Sequence, residues 1–346
     1  MALALLLFAL AGGADFGGGM WTFVARGESA EEEVSLIDRA IGPIWEANEL
    51  WIVVALVIMW SGFPSVFSTF GIALFVPMIL VLVGIVLRGA FFSFQEHAEY
   101  APVPHAFMAF GKAFGAVSVI SPFFFGLTAG TIASGRLRFE SAGTDGERFA
   151  VGAPTNGYFE PWFGPFPITC GLLALVICAY LAAVYLTVEA GESPDLQNLY
   201  RKRGIASGIV LGVLGIAVLP IMSFDALYMW RGILQIPAIL FMVLAAAALI
   251  GSLILLHANR YWWARTAAIT HVVSIFLAWA SAQYPYLLVP DITISSAASP
   301  SSVLVALLIL SFFYAVVLGP SLALLLYIFK RRPSRAPEPS EVEEAE

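Results

Sequence analysis

The chain has 346 residues, of which 60% are hydrophobic and 12% charged, and its mean hydropathy is +0.87. A soluble domain carries roughly 25% charged residues, so water is not this chain's only solvent; the length instead admits about nine spans of ~20–25 residues with short connections. The formal net charge of −7 comes from acidic residues grouped at 28–38 and after Pro337, and no basic patch with interleaved aromatics points to nucleic acid.

The opening MALALLLFALAGGA has the apolar content of a signal peptide but no positive n-region, and it runs on through DFGGGMWTFVA. That continuity predicts an uncleaved first span over roughly 2–25. Further apolar stretches predict helices at roughly 43–62, 64–88, 107–134, 164–189, 205–226, 233–256, 263–288 and 303–329. Pro64 suits a first helical turn, whereas Pro77, Pro122 and Pro220 fall inside spans and should kink them. Cys170 and Cys178 are eight residues apart in one span, about 12 Å along a helix and too far for a bridge. They read as small packing residues.

Orientation follows from Lys and Arg. With the N-terminus outside, four of the 17 basic residues (Arg136, Arg138, Arg148 and Arg231) fall on the outer side and the rest inside. This predicts an outer N-terminus and an inner C-terminus. Removing or adding one helix scrambles the asymmetry, so it also supports nine. The longest outer loop, about 135–163, is Gly-rich and ends at Glu160-Pro161-Trp162, with Trp162 at interfacial depth. Residues 333–346 are mostly Pro, Ser and Glu, which predicts a disordered cytoplasmic tail after a membrane-embedded domain over 1–332.

An ionisable group inside a span costs about 2.5–3.5 kcal/mol at the centre and is the first functional candidate. Asp15 is one, set in Gly12-Gly13-Ala14-Asp15-Phe16-Gly17-Gly18-Gly19, where glycines allow close helix approach. It either pairs with an Arg to lock two helices or takes part in proton or quinol chemistry. A second cluster is Gly42-Pro43-Ile44-Trp45-Glu46-Ala47-Asn48-Glu49. Trp45, Asn48 and Glu49 share one helical face by i, i+3 and i+4 spacing, and Glu46 borders it. These residues read either as a proton entry from the inner surface or as an interfacial Trp–Glu belt. Arg88 ends the third predicted span; it either snorkels to the inner headgroups or bridges to Asp15. Of the four histidines, His97 and His105 lie in an inner loop, His257 at a helix end, and His271 at membrane depth. One intramembrane histidine supplies at most one axial haem ligand, and no paired-His spacing or Cys-x-x-Cys-His motif marks a metal centre.

These residues resemble subunit II of cytochrome bd ubiquinol oxidases. Gly13-Ala14-Asp15-Phe16-Gly17-Gly18-Gly19 is similar to the Gly-x-Asp-Phe-x-x-Gly element of that family's first helix. Gly42 to Asn48 is similar to its Gly-Pro-hydrophobic-Trp-acid-x-Asn element, the most specific of the matches. Arg88-Gly89, Ser121-Pro122-Phe123-Phe124-Phe125-Gly126, Thr187-Val188-Glu189-Ala190-Gly191 and Tyr284-Pro285 to Pro290 follow in the family's order. The fifth stretch departs from it, with Tyr185-Leu186 where a Lys is usual, as does the weakly basic loop around Gln95-Glu96-His97.

The resemblance implies an all-α polytopic fold of about nine transmembrane helices, arranged as two four-helix bundles plus one peripheral helix. It also implies a haem-free chain in the bacterial inner membrane. Its partner would be a haem-bearing subunit I holding haems b and d and the quinol site, with single-helix accessory subunits, quinol and lipids as further candidates. Glu46 then lies on a proton route, with Glu49 and Asn48 beside it, and Trp45 becomes a contact for a structural quinone. Asp15 and Arg88 become an interface or structural pair, and no metal ligand is expected in this chain. Two other classes stay open from the residues alone: a stand-alone proton-coupled transporter using Asp15 and Glu46, and a small haem protein using His271. A transporter favours matching helix breaks in both halves, whereas the glycine-rich break occurs only in the first span.

Overall fold

The structure is a computed structural model, and it describes residues 1–27, 29–42, 45–98, 106–142, 150–154 and 157–331. The expected 333–346 tail lies outside the described residues, as do His105 and Arg148. Among the described residues, eight helical stretches are long and apolar enough to cross a membrane, and a ninth results if one bent pair counts as a span. The chain is an all-α, multi-pass membrane protein.

The first bundle starts with α1 (Ala2–Val24) and a short amphipathic α2 (Ala30–Ile41). The bent pair follows, α3 (Trp45–Gly62) and α4 (Pro64–Ala73), which meet at 115°. Pro64 cannot continue the ladder of α3, so a new helix starts there. Then come α5 (Phe75–Ala98), α6 (Ala106–Val117) and α7 (Ile120–Ser134), the last two forming one broken span. A hairpin of β1 (Phe139–Ala142) and β2 (Ala150–Pro154) leads out of it.

The second bundle comprises α8 (Pro165–Glu189), α9 (Pro194–Asp225), the short α10 (Leu227–Ile233), α11 (Ile236–His257) and α12 (Tyr261–Gln283). After it come β3 (Tyr286–Leu288), paired with β4 (Ile292–Thr293), then α13 (Ile294–Ala297). The last helix, α14 (Ser301–Arg331), is peripheral. It lies against α3, where Tyr314 meets Trp51 edge-on at 6.2 Å, and none of its apolar window is buried inside the chain. The faces left outward are apolar, with Ile216 72% and Leu308 70% exposed, as expected where lipid replaces water.

Several predicted boundaries are corrected. The span expected at 64–88 divides: α4 bends off with α3, and the crossing helix is α5, which runs ten residues past Arg88. The apolar run Gly89-Ala90-Phe91-Phe92 lets it continue. Pro77 and Pro122 do interrupt the spans in which they fall: the helix breaks at Leu74 and at Ser118-Val119, three to four residues ahead of each, so that they sit in the first turns of α5 and α7; Pro220 lies inside α9. The helix expected at 263–288 stops at Gln283, before Pro285. Helix α2 was not foreseen, because its charged residues hid an apolar stripe of Ala30, Val34, Ile37 and Ile41.

Candidate functional site

Backbone packing fixes the site first. A Cβ on Gly17 would collide with the backbone of Cys178 and come within 2.7 Å of the Ala182 Cβ, and one on Gly19 would come within 2.7 Å of the Ser118 Cβ. Glycine at these two positions therefore lets α1 lie directly on α8 and beside the α6–α7 break. Asp15, two residues before Gly17 on the same helix, is thereby buried among the helices and is 3% exposed.

Arg88 meets it there. Its Nη2 donates to Asp15 Oδ1, and the residue is wholly buried. Its guanidinium also lies over Phe16, 4.6 Å from the ring centroid, and Phe114 at 5.0 Å. The placement rules out snorkelling, because Arg88 lies inside α5 and not at its end. Pairing, planar stacking and a delocalised charge make an Arg the cation best suited to such a position.

The second-helix cluster reaches the same pair. Glu49 Oε1 lies 3.5 Å from Arg88 Nη1, so one guanidinium faces two carboxylates on two helices. Asn48 is 3% exposed and its Nδ2 donates to the Ala11 carbonyl at 3.5 Å, tying α3 to α1. Trp45 stacks obliquely on Phe92 with centroids 5.4 Å apart, and a Cβ on Gly89 would come within 3.3 Å of its ring. The Glu46 side chain lies outside what the structure describes. The structure thus brings together Asp15, Asn48, Glu49 and Arg88, with Trp45 one turn below. Arg88 Nε and Nη1 are buried and make no hydrogen bond among the described residues; Nη1 is held only by its 3.5 Å ion pair with Glu49.

Other polar residues here were missed from sequence. Gln95, two turns below Arg88 on α5, is 2% exposed and donates from Nε2 to Asp38 Oδ1 of α2 at 3.4 Å. Glu33, also on α2 and 2% exposed, accepts from Arg203 of α9 at 2.7 Å, and Arg203 sits over Trp21 and Tyr200. The stripe of α2 was the available signal, since its burial carries Glu33 and Asp38 inward.

The three described histidines do not converge. His97 lies in the last turn of α5, not in a loop, with Nδ1 2.7 Å from the Ser93 carbonyl oxygen, and His257 ends α11. His271 is 4% exposed, with Nδ1 2.8 Å from the Ala245 carbonyl oxygen and its ring edge-on to Tyr180. His271 Nε2 makes no hydrogen bond, but among the described residues no second histidine, cysteine or methionine is brought beside it as an opposite axial donor, so the residues described do not assemble a two-ligand haem site. Among the described residues, no group of three or more His, Cys, Asp or Glu could hold a metal ion. Cys170 and Cys178 are unbridged and serve packing, with Gly17, Gly126 and Gly130 against them.

The fold and site define a polytopic helical membrane protein with a buried carboxylate–guanidinium network in one of two bundles. Residues 1–329 match the family model described as cytochrome bd terminal oxidase subunit II, and the chain belongs to that family. It is 25% identical over 241 residues to the Bacillus subtilis cytochrome bd ubiquinol oxidase subunit 2, an alignment covering 67% of this chain and 64% of that relative. It is 22% identical over 305 residues to a putative cytochrome bd menaquinol oxidase subunit II of the same organism, covering 84% of this chain and 82% of the relative. Its fold matches a chain of the bd oxidase structure from Geobacillus thermodenitrificans with a TM-score of 0.73, at 22% identity, over 95% of this chain and 96% of that one.

Proposed function

We propose that this chain is the haem-free second subunit of a cytochrome bd-type quinol:oxygen oxidoreductase, in which quinol oxidation is coupled to reduction of oxygen to water. The observation that carries this reading is the family match from residue 1 to 329, end to end through both bundles. The haems b and d, with the quinol site, belong to a subunit I partner and supply the electron transfer. This chain's residues support that partner and carry protons from the inner surface. The stand-alone transporter is not favoured, because the match leaves no span outside the oxidase family. In this reading the protein sits in the bacterial inner membrane with its N-terminus outside and its C-terminus inside.

In the proposed proton route Glu46 takes a proton at the inner end of α3 and Glu49 receives it one turn on. Asn48 fixes α3 against α1, and Arg88 holds the negative charge of Glu49 and Asp15. The support for Glu49 is its 3.5 Å approach to Arg88; for Glu46 it is the residue's place after Trp45 in the family's element. Trp45 is the contact proposed for a structural quinone, resting on its position at the α3–α5 seam.

Purification through a tag on this chain tests the assignment: a haem-bearing partner should co-purify, and this chain alone should be colourless. Haem retained by the isolated chain would overturn it. Glu46→Gln should lower oxygen-reduction turnover by about ten-fold or more, in keeping with the loss of a proton-transfer group, without removing haems from the complex. Unchanged turnover at several pH values would reject the route.

A further inference from the structure

The cluster of Asp15, Arg88 and Glu49 does not balance its charge. Among the described residues one cation, Arg88, is paired with both carboxylates, with Asp15 through Nη2 and with Glu49 through Nη1. The elements packed around it bring neutral groups. Asn48 of α3 binds the Ala11 carbonyl, and the rings of Phe16 and Phe114 lie against the guanidinium. Cys178 of α8 meets Gly17, and Ile37 and Ile41 of α2 close on Gly18. Helix α14 reaches α3 with Tyr314, at Trp51. With both carboxylates ionised, one negative charge would stand uncompensated inside the bilayer, which is strongly unfavourable. One bound proton removes it.

The geometry says which carboxylate carries that proton. A charge-assisted N–H···O bond to a carboxylate spans about 2.7–2.9 Å. Arg88 Nη2 makes a direct hydrogen bond to Asp15 Oδ1, so Asp15 takes the charge of the guanidinium. Glu49 Oε1 stands off at 3.5 Å from Nη1, and neither of these two atoms makes a hydrogen bond among the described residues. That contact suits a neutral acid better than a second carboxylate competing for the cation. Access points the same way. The Asp15 side chain is 3% exposed and the Glu49 side chain 24%, so Glu49 is the one placed to exchange a proton with its surroundings.

We propose that Glu49 holds a proton in the resting state, as the neutral acid, and that Asp15 keeps it there by occupying Arg88. The inference rests on the proton-route reading above and names the resting charge of that route. When Glu49 passes its proton on toward the oxygen-reducing partner, its carboxylate is left facing Arg88 Nη1, a buried donor in place to hold the charge. The next proton from the inner side restores the acid. Each cycle takes up one proton and releases one, and no electron moves in this chain. Asp15 acts through Arg88 and is a positioning residue.

The test uses the intact complex. Infrared difference spectra between oxidised and reduced enzyme read the carbonyl stretch of a protonated carboxylic acid, which shifts in heavy water. The unaltered complex should show such a band, and Glu49→Gln should remove it. Gln copies the neutral acid, so this variant should keep the original unfolding temperature while oxygen-reduction turnover falls by about ten-fold, as for the loss of one proton-transfer group. Asp15→Asn should remove the same band although Glu49 is in place, because Arg88 then holds Glu49 ionised; an Asp15 that only tied helices together would leave the band alone. Should one variant fail to assemble, the other decides. A band unchanged in Glu49→Gln, or in an assembled Asp15→Asn complex, would overturn the proposal. A lower unfolding temperature in Glu49→Gln would overturn it as well, since it would show that an ionised Glu49 had been paired with Arg88. The two readings fail separately: unchanged turnover in Glu46→Gln rejects the route, whereas a band that survives Glu49→Gln rejects the stored proton.

Discussion

The two bundles solve the same problem of spanning a bilayer in opposite ways. In the first, charge is placed inside: Asp15 and Arg88 are buried between α1 and α5, with Glu49 at 3.5 Å from the same guanidinium. Its helices are interrupted, bent by 115° at Gly62-Phe63-Pro64 and broken again between α6 and α7. In the second, long helices hold charges at their ends, with Arg203–Glu33 at one end, Arg136–Asp225 at the other, and Glu189–Arg265 at 3.4 Å near the turns. Its interior polar groups are neutral in kind, such as Ser252, which donates to the Ala264 carbonyl at 3.1 Å, and Tyr180. Buried charge goes with broken helices, because a charge in lipid needs partners on several elements at once.

The sharpest way to break this comparison is to strand the inner charge. Arg88→Met leaves Asp15 without its cation, at a cost of about 3–5 kcal/mol for a buried pair broken from one side. The complex should be recovered poorly, and Asp15→Asn, which keeps a polar atom, should assemble better but with weaker association or shifted haem spectra. The double variant Asp15→Leu with Arg88→Met should regain part of the loss, since the two effects are not additive. Normal thermal unfolding and spectra in Arg88→Met would show that the pair does not organise the first bundle.

Next in size is the packing that holds Asp15 in place. Gly17→Leu drives a side chain into the Cys178 backbone and should cost about 1–3 kcal/mol or more by overpacking. Gly212→Ala in α9 is the matched control, because its Cβ meets only Leu249 Cδ2, at an ordinary 3.5 Å. Detergent-solubilised unfolding temperatures should fall for the first and stay level for the second.

How much of this was legible in the sequence differs by element. Apolar runs long enough to span were plain, because lipid demands them continuously, and so were the glycines around Asp15. The bend at Pro64 was read only as a helix start, since a proline marks a boundary without giving an angle. Arg88 was placed at the end of its span with two outcomes open, snorkelling or a bridge to Asp15; the sequence could not choose between them, because the choice rests on the approach of a residue 73 positions away. Asn48 and Glu49 were picked out by spacing on α3, but their partners lie on α1 and α5, which no local pattern names. Helix α2 was lost for a different reason: its acidic composition outweighed a four-residue stripe, and with it went Glu33 and Gln95's partner Asp38.

The end-capping charges should matter less. Arg203→Met removes the partner of Glu33, which is 2% exposed, but Arg203 is itself partly open to solvent and its stem still packs on Trp21 and Tyr200. A loss of about 2 kcal/mol is expected, that of one charge-assisted hydrogen bond, read as a lower unfolding temperature with the haem spectrum of the complex unchanged. A spectral change there would mean that α2 transmits to the redox centre and that the division between a charged interior and charged ends is too simple.

The smallest effect falls at the rim. Arg138 and Asp291 approach to 3.3 Å with side chains 48% and 37% exposed, so water screens them and ordering two side chains offsets the attraction. Arg138→Ala should therefore shift stability by less than about 1 kcal/mol, and its effect should shrink further in high salt. Because the same two residue types make the Asp15–Arg88 pair, the ratio of the two losses measures what burial alone adds. A loss in Arg138→Ala as large as in Arg88→Met would mean that the pair's position relative to lipid is not what sets its weight, and the contrast between the bundles would have to be rebuilt on packing instead.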